Sequence, residues 1–156
     1  MAEIRTGTAD ALALLVRTSS LLCAVPLHAV LETMRPLPIA PLTGVPPFVS
    51  GASLIRGAAT PVLDLESLVL GRAAPSVRRF VTIRTGERVA ALAVEAVIGL
   101  RSLGDAPSGS LTPLLKQVGD SVIESIGTLD AHLLAVLRTT HLVPDDVWQK
   151  LQRTNS

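Results

Sequence analysis

The sequence predicts an all-β protein of two small barrels that share a hydrophobic seam. Three observations carry that prediction. Apolar residues recur mostly with period two, in short runs separated by Gly, Pro, Ser and Thr turns, which is the pattern of evenly spaced short strands in small barrels. The chain reads as a weak pseudo-repeat. Several short strands and a brief helix occur twice, and Val62-Leu63-Asp64-Leu65 in the first half matches Val136-Leu137-Arg138-Thr139 in the second. At 156 residues, each half is near the lower size limit for independent stability, so the halves are expected to pack on each other. Barrels this small are filled by side chains and leave no pore.

Residues 1–10 are polar and form a flexible N-terminus. Leu12, Leu14 and Val16 alternate with smaller or polar neighbours as a strand. Thr18-Ser19-Ser20 turns the chain into a returning strand, Leu21–Val25. Pro26 ends that strand and suits the first turn of a short helix carrying Leu27, Val30 and Leu31, after which the chain is extended to Pro36. Pro36, Pro38, Pro41, Pro46 and Pro47 exclude regular helix and central strand, while Ile39, Leu42 and Val45 give this segment apolar anchors. It is therefore expected to be an ordered surface loop.

Phe48–Ile55 and Ala58–Asp64 form two strands around Arg56-Gly57, where Gly57 reaches positive φ without steric cost. Pro61 lacks an N–H, so its strand is expected to be an edge strand or to start near it. Asp64 caps a helical turn, Leu65–Val69, that stops at Gly71. Residues 11–70 are thus expected to form the first barrel, 71–77 a boundary, 78–143 the second barrel, and 144–156 a C-terminal helix and tail. In the second half Val81 and Ile83 mark a strand and Thr85-Gly86 a turn. Leu92, Val94, Ile98 and Leu100 then line one face of a single long strand, bent at Gly99. Helix competes for this Ala-rich run, but period two fits it better. Gly104–Gly119 reads as a mobile loop, with a possible turn of helix over Leu111–Val118. Val122–Leu129 and Leu133–Leu137 form a hairpin around Asp130-Ala131-His132. Pro144-Asp145-Asp146 starts a helix, with Trp148 and Leu151 on its apolar side.

Composition excludes several functions. Net charge is +1, and the aromatic residues are Phe48, Phe80 and Trp148, so the stacking platform and basic groove of a single-strand binder are missing and no nucleic-acid partner is expected. Arg78-Arg79 reads as a solvated strand start. Cys23 is alone and reads as a buried small hydrophobe. Ala90–Leu100 is too short to span a bilayer and carries Glu95, so no membrane insertion is expected. No secretory signal precedes the fold, and a cytoplasmic location is expected.

Catalytic patterns are also missing. His28, His132 and His141 are scattered, and no His-Glu-x-x-His, Cys-x-x-Cys, Walker A, dinucleotide or nucleophile-elbow motif occurs, so no metal, cofactor or catalytic residue is assigned. A small all-β enzyme using Asp64, His28 and Arg56 is the rival reading. The apolar excess otherwise points to docking surfaces.

One stretch goes further. Gly51, Arg56-Gly57 and Pro61-Val62-Leu63-Asp64-Leu65 follow in order a motif that resembles the CheW-like coupling proteins of bacterial chemotaxis. Val30-Leu31-Glu32, Pro46-Pro47-Phe48-Val49 and Val94-Glu95-Ala96-Val97 extend the resemblance over nearly the whole chain. Departures are Leu54 where the family often has Asn, Glu95 where it usually has Asp, and Arg138 where it often has Asp. The resemblance implies two five-stranded SH3-like β-barrels packed together, with short helices after each. It implies a non-catalytic adaptor that joins the hairpin tip of a chemoreceptor to the regulatory domain of a CheA-type histidine kinase. It places Glu32 close to Arg56 on the first barrel, and it marks Glu32, Ile55, Arg56, Val94 and Val97 as partner-binding candidates. A related paralogue that binds receptor without kinase, or serves a non-chemotactic pathway, is the alternative.

Overall fold

A computed structural model describes residues 12–19, 21–102, 122–129 and 132–155. The expected N-terminal tail and the 104–119 loop lie outside the described residues. The strands are β1 (Leu12–Thr18), β2 (Leu21–Pro26), β3 (Val30–Met34), β4 (Val49–Ile55), β5 (Ala58–Asp64), β6 (Arg79–Thr85), β7 (Arg88–Val94), β8 (Ala96–Ser102), β9 (Ile123–Leu129) and β10 (His132–Leu137). A 3₁₀ turn, Leu27–Ala29, joins β2 to β3; α1 (Leu65–Leu70) follows β5, and α2 (Asp145–Asn155) follows β10.

The strands form two five-stranded sheets, in the orders β8-β1-β2-β10-β9 and β3-β6-β7-β5-β4. Each sheet therefore draws on both halves of the chain. This corrects the sequential division into 11–70 and 78–143. The pseudo-repeat is present, but each half hands strands to the other sheet through a very short link, Leu27–Ala29 in one case and Glu95 in the other. Local periodicity carries no record of such an exchange, because a strand keeps its alternation whichever sheet receives it.

Glu95 also breaks the expected long strand. Arg78 N donates to Val94 O at 2.9 Å in the second sheet, while Glu95 N donates to Arg17 O at 3.0 Å in the first. One residue further the ladder has changed sheets, so β7 and β8 are separate strands. The bend at Gly99 is real: its φ is +149°, and the β1–β8 register slips there, with Leu15 opposite Gly99 and Val16 opposite Val97.

Pro61 lies on an interior strand, not an edge. Asp64 N donates to Phe48 O at 2.7 Å, so by alternation Val62 and Thr60 also aim their N–H groups at the β4 side. Residue 61 faces β7, and the parallel β5–β7 ladder begins only at Val62. The missing N–H thus falls just outside the ladder.

Most of the apolar content lies inside. A central core joins Leu14, Val16 and Leu21 of the first sheet to Val81, Ile83 and Leu92 of the second, and takes in Leu65 and Leu68 of α1 and Val147 and Leu151 of α2. This is the shared seam. On their other faces the sheets bury Ala13, Leu15, Ala24 and Leu134, and Ile55, Val62, Phe80, Ala91 and Ala93, respectively. Burial on both faces explains the near-continuous apolar runs and the small residues among them. The proline-rich loop is ordered as expected: Leu42 and Val45 pack on the core, and Lys150 Nζ donates to Gly44 O at 3.2 Å.

Two polar devices fix the junctions. Asp64 caps α1, accepting from Ser67 N at 3.2 Å and from Ala74 N at 2.9 Å, and Gly71 closes the helix at φ +77°. Glu66, buried on α1, accepts from Thr18 Oγ1 at 2.8 Å and Arg72 Nε at 2.9 Å, so it ties the β1–β2 turn to the other sheet. Burial by itself would raise its pKa, but hydrogen bonds from Ser19, Arg72 and Thr18 outweigh that and hold it below its ordinary value of 4.5. The unfolded chain then takes up the proton at higher pH than the native one. The stability Glu66 contributes is full above its unfolded pKa and disappears as pH falls through the lower native value. Acid titration of Glu66→Gln followed by circular dichroism should show a shallower loss of stability below pH 4.5 than the parent shows.

Candidate partner-docking site

The second sheet curls until its two edges, β3 and β4, approach each other. Among the described residues no strand ladder joins β3 to β4, so the barrel is not closed by strand pairing as the sequence suggested. The chain beyond β3 bridges the gap. Ala40 and Ala52 exchange backbone hydrogen bonds of 2.8 and 2.9 Å, and Ser53 Oγ donates to Pro38 O at 2.8 Å. Gly51 makes this approach possible. At φ +147° it sits so close under residue 40 that an added Cβ would collide with the Ala40 carbonyl and lie 2.8 Å from Ile39 Cγ2. The motif glycine is therefore a point where backbone meets backbone.

Arg56 crosses the same gap. Ile55 pairs with Ala58, so Arg56-Gly57 is a two-residue hairpin loop, and φ of +53° and +80° at its two positions match a type I′ turn. From this loop the guanidinium reaches Glu32 on β3. Nε lies 3.0 Å from Oε2, and Nη2 lies 2.7 Å from Oε1. The fork is two-pronged and planar, which fixes direction as well as charge. The hydrogen bond from Arg56 holds the Glu32 carboxyl below its ordinary pKa, and the carboxylate raises that of Arg56. The Arg56 side chain is 78% exposed although its head is fixed. Beside it Leu54, 70% exposed, is the most exposed of the large hydrophobic residues among those described.

Of the five candidates, the structure brings Glu32 and Arg56 together at the surface. Ile55 and Val94 are corrections. Ile55 is buried among Val62 and Phe80, and Val94 is fully buried in the central core, so neither offers surface to a partner. Ile55 turns inward between the exposed Leu54 and Arg56, whereas Val94 follows Ala93, which is itself buried on the other face of the sheet. Val97 is half-buried and lines a cleft with Arg35, Arg78 and Glu95. Leu54 and Arg35, both exposed, were not among the candidates, and the departure from Asn at position 54 was the signal available for the first. The constellation of the rival enzyme is taken up elsewhere: both Asp64 oxygens serve backbone N–H groups, and Arg56 holds Glu32. Among the described residues no cluster of His, Cys, Asp and Glu could hold a metal.

Residues 12–147 match the CheW-like domain family. Protein FrzA of Myxococcus xanthus is 35% identical over 127 residues, covering 80% of this chain and 72% of that protein. The crystal structure of the scaffolding protein TtCheW from Thermoanaerobacter tengcongensis superposes with a TM-score of 0.70 at 19% identity, covering 85% of this chain and 91% of that one. Sequence match and sheet architecture agree, and the chain belongs to the CheW-like domain family.

Proposed function

We propose that this protein is the adaptor that couples a chemoreceptor to a CheA-type histidine kinase, on the cytoplasmic side of the membrane. The observation that carries the reading is the exposed Arg56 fork. A guanidinium on a hairpin tip has no structural need for rigidity, yet Glu32 holds it in one orientation facing solvent. A preset charge of this kind lowers the ordering cost when a partner docks. The mechanism is binding and geometry: one partner takes the region around Arg56, the other an outer sheet face, and the packed seam makes the two respond as one body. No helix among the described residues is long and apolar enough to cross a membrane.

A second reading has its own support. Leu54 puts a large exposed apolar side chain where the family often has Asn, which fits a paralogue with an altered partner. Co-purification tried separately with a receptor signalling fragment and a kinase regulatory domain separates the two. Capture of both is the expected result. Capture of the receptor fragment alone selects the paralogue, and capture of neither overturns both readings.

A further inference from the structure

We propose that residues 35–41, Arg35-Pro36-Leu37-Pro38-Ile39-Ala40-Pro41, are a ligand for a domain of another protein that reads polyproline segments through an aromatic-lined groove with an acidic flank. This goes beyond the Arg56 site and does not depend on which partner that site takes.

The conformation follows from the prolines. Pro36, Pro38 and Pro41 hold φ at about −65°, close to the polyproline II value, and each biases the residue before it, Arg35, Leu37 and Ala40, towards the same extended region. No helix or named strand includes the segment. A polyproline II helix has three residues per turn, so its side chains form three edges. Arg35, Pro38 and Pro41 fall on the first, Leu37 and Ala40 on the second, and Pro36, Ile39 and Leu42 on the third.

The fold holds the third edge. Leu42 packs on the central core, and Ile39 Cγ2 lies 2.8 Å from where a Cβ on residue 51 would stand. Hydrogen bonds pin the segment along β4. Ser53 Oγ donates to Pro38 O at 2.8 Å, Ala40 N donates to Ala52 O at 2.8 Å, and Ala52 N donates to Ala40 O at 2.9 Å. The other two edges are left to solvent: Arg35, Leu37, Pro38, Ala40 and Pro41 are all exposed. They present a Pro-x-x-Pro unit, Pro38 to Pro41, with Arg35 one turn ahead on the same edge. Among the described residues, no carboxylate lies within ion-pair distance of Arg35. Its guanidinium is therefore open to an acidic group beside a partner's groove.

The segment selects the kind of partner. Three prolines in seven residues leave few N–H groups, and that of Ala40 is engaged by Ala52, so the segment is ill suited to adding a strand to a partner's sheet. Pyrrolidine rings and Leu37 instead offer apolar surface in an order set before docking, which keeps the entropy cost of binding low. A second copy of this chain has no groove to offer. Phe80 is fully buried, Phe48 packs against the central core, and Arg88 Cζ stands 4.9 Å over the Trp148 ring centre.

The test titrates the full chain into an isotope-labelled SH3 domain whose aromatic groove is flanked by carboxylates, with affinities from calorimetry. Expected are resonance shifts confined to that groove, and an affinity about tenfold weaker in Pro38→Ala, Pro41→Ala and Arg35→Glu, equivalent to ~1.4 kcal/mol each. Arg35→Glu, at an exposed side chain, guards against a folding effect of the proline changes. Pro36→Ala, on the edge turned to the fold, should bind within about twofold of the parent. A free peptide of residues 33–43 should bind more weakly than the full chain, because it must still be ordered. The proposal is overturned if the groove resonances stay still, if the three weakened variants bind like the parent, or if the peptide binds and the full chain does not.

Discussion

Gly51→Ala is expected to lower the stability of the protein by about 3 kcal/mol or more, the joint cost of a strained φ and an overpacked contact. Two independent faults combine at this position. The backbone sits at φ +147°, outside the range of an L side chain, and the new Cβ would strike the Ala40 carbonyl that pairs with Ala52. Relief requires the residue 40 segment to lift away from β4, which gives up both bridge hydrogen bonds and exposes the gap between the sheet edges. For a domain of this size the thermal midpoint should fall by roughly 10 °C. Gly86→Ala is the matched comparison. Its φ is +70°, but nothing lies within 4 Å of the added Cβ, so the backbone term acts alone and about 1 kcal/mol is expected. Calorimetric melts of the two variants check this. Equal midpoints would show that the approach of residue 40 is not what the glycine serves.

Arg56→Ala is expected to weaken partner capture about tenfold or more while leaving the thermal midpoint nearly unchanged. The side chain is 78% exposed and makes its ion pair at the surface, so the fold asks little of it. Arg56→Lys distinguishes charge from geometry. A lysine keeps the charge but cannot reproduce two parallel bonds of 3.0 and 2.7 Å to Glu32. If orientation is what the partner reads, Lys restores little of the affinity, and Glu32→Gln weakens capture as well. Titration calorimetry with the captured partner measures all three variants. A large fall in the melting temperature of Arg56→Ala with capture intact would instead assign Arg56 to the fold.

Much of the fold could be read directly from particular residues. Thr18 to Leu21, Arg56-Gly57 and Thr85-Gly86 were legible as turns because their chemistry is local. Asp64 as a cap and Gly71 as a stop were legible for the same reason. The Glu32–Arg56 pair came from the family resemblance, since residues 24 apart have no local reason to meet. Ile55 and Val94 were misjudged because alternation tells that neighbours face opposite ways but not which way is out when both faces of a sheet are covered. The basic cleft was invisible in the sequence, where Arg35 stands far from Arg78 and Glu95 and each reads as ordinary surface charge.

The sequence by itself determined where most strands begin and end, because turn residues, prolines and caps act over a few bonds; the break at Glu95 carries none of these signals. It also determined that the core is built mainly from aliphatic residues. Tertiary structure alone decided which sheet each strand joins, that residue 40 closes the gap at Gly51, and which arginines share a cleft. Those outcomes rest on packing between segments distant in sequence, and a strand carries the same alternation into either sheet.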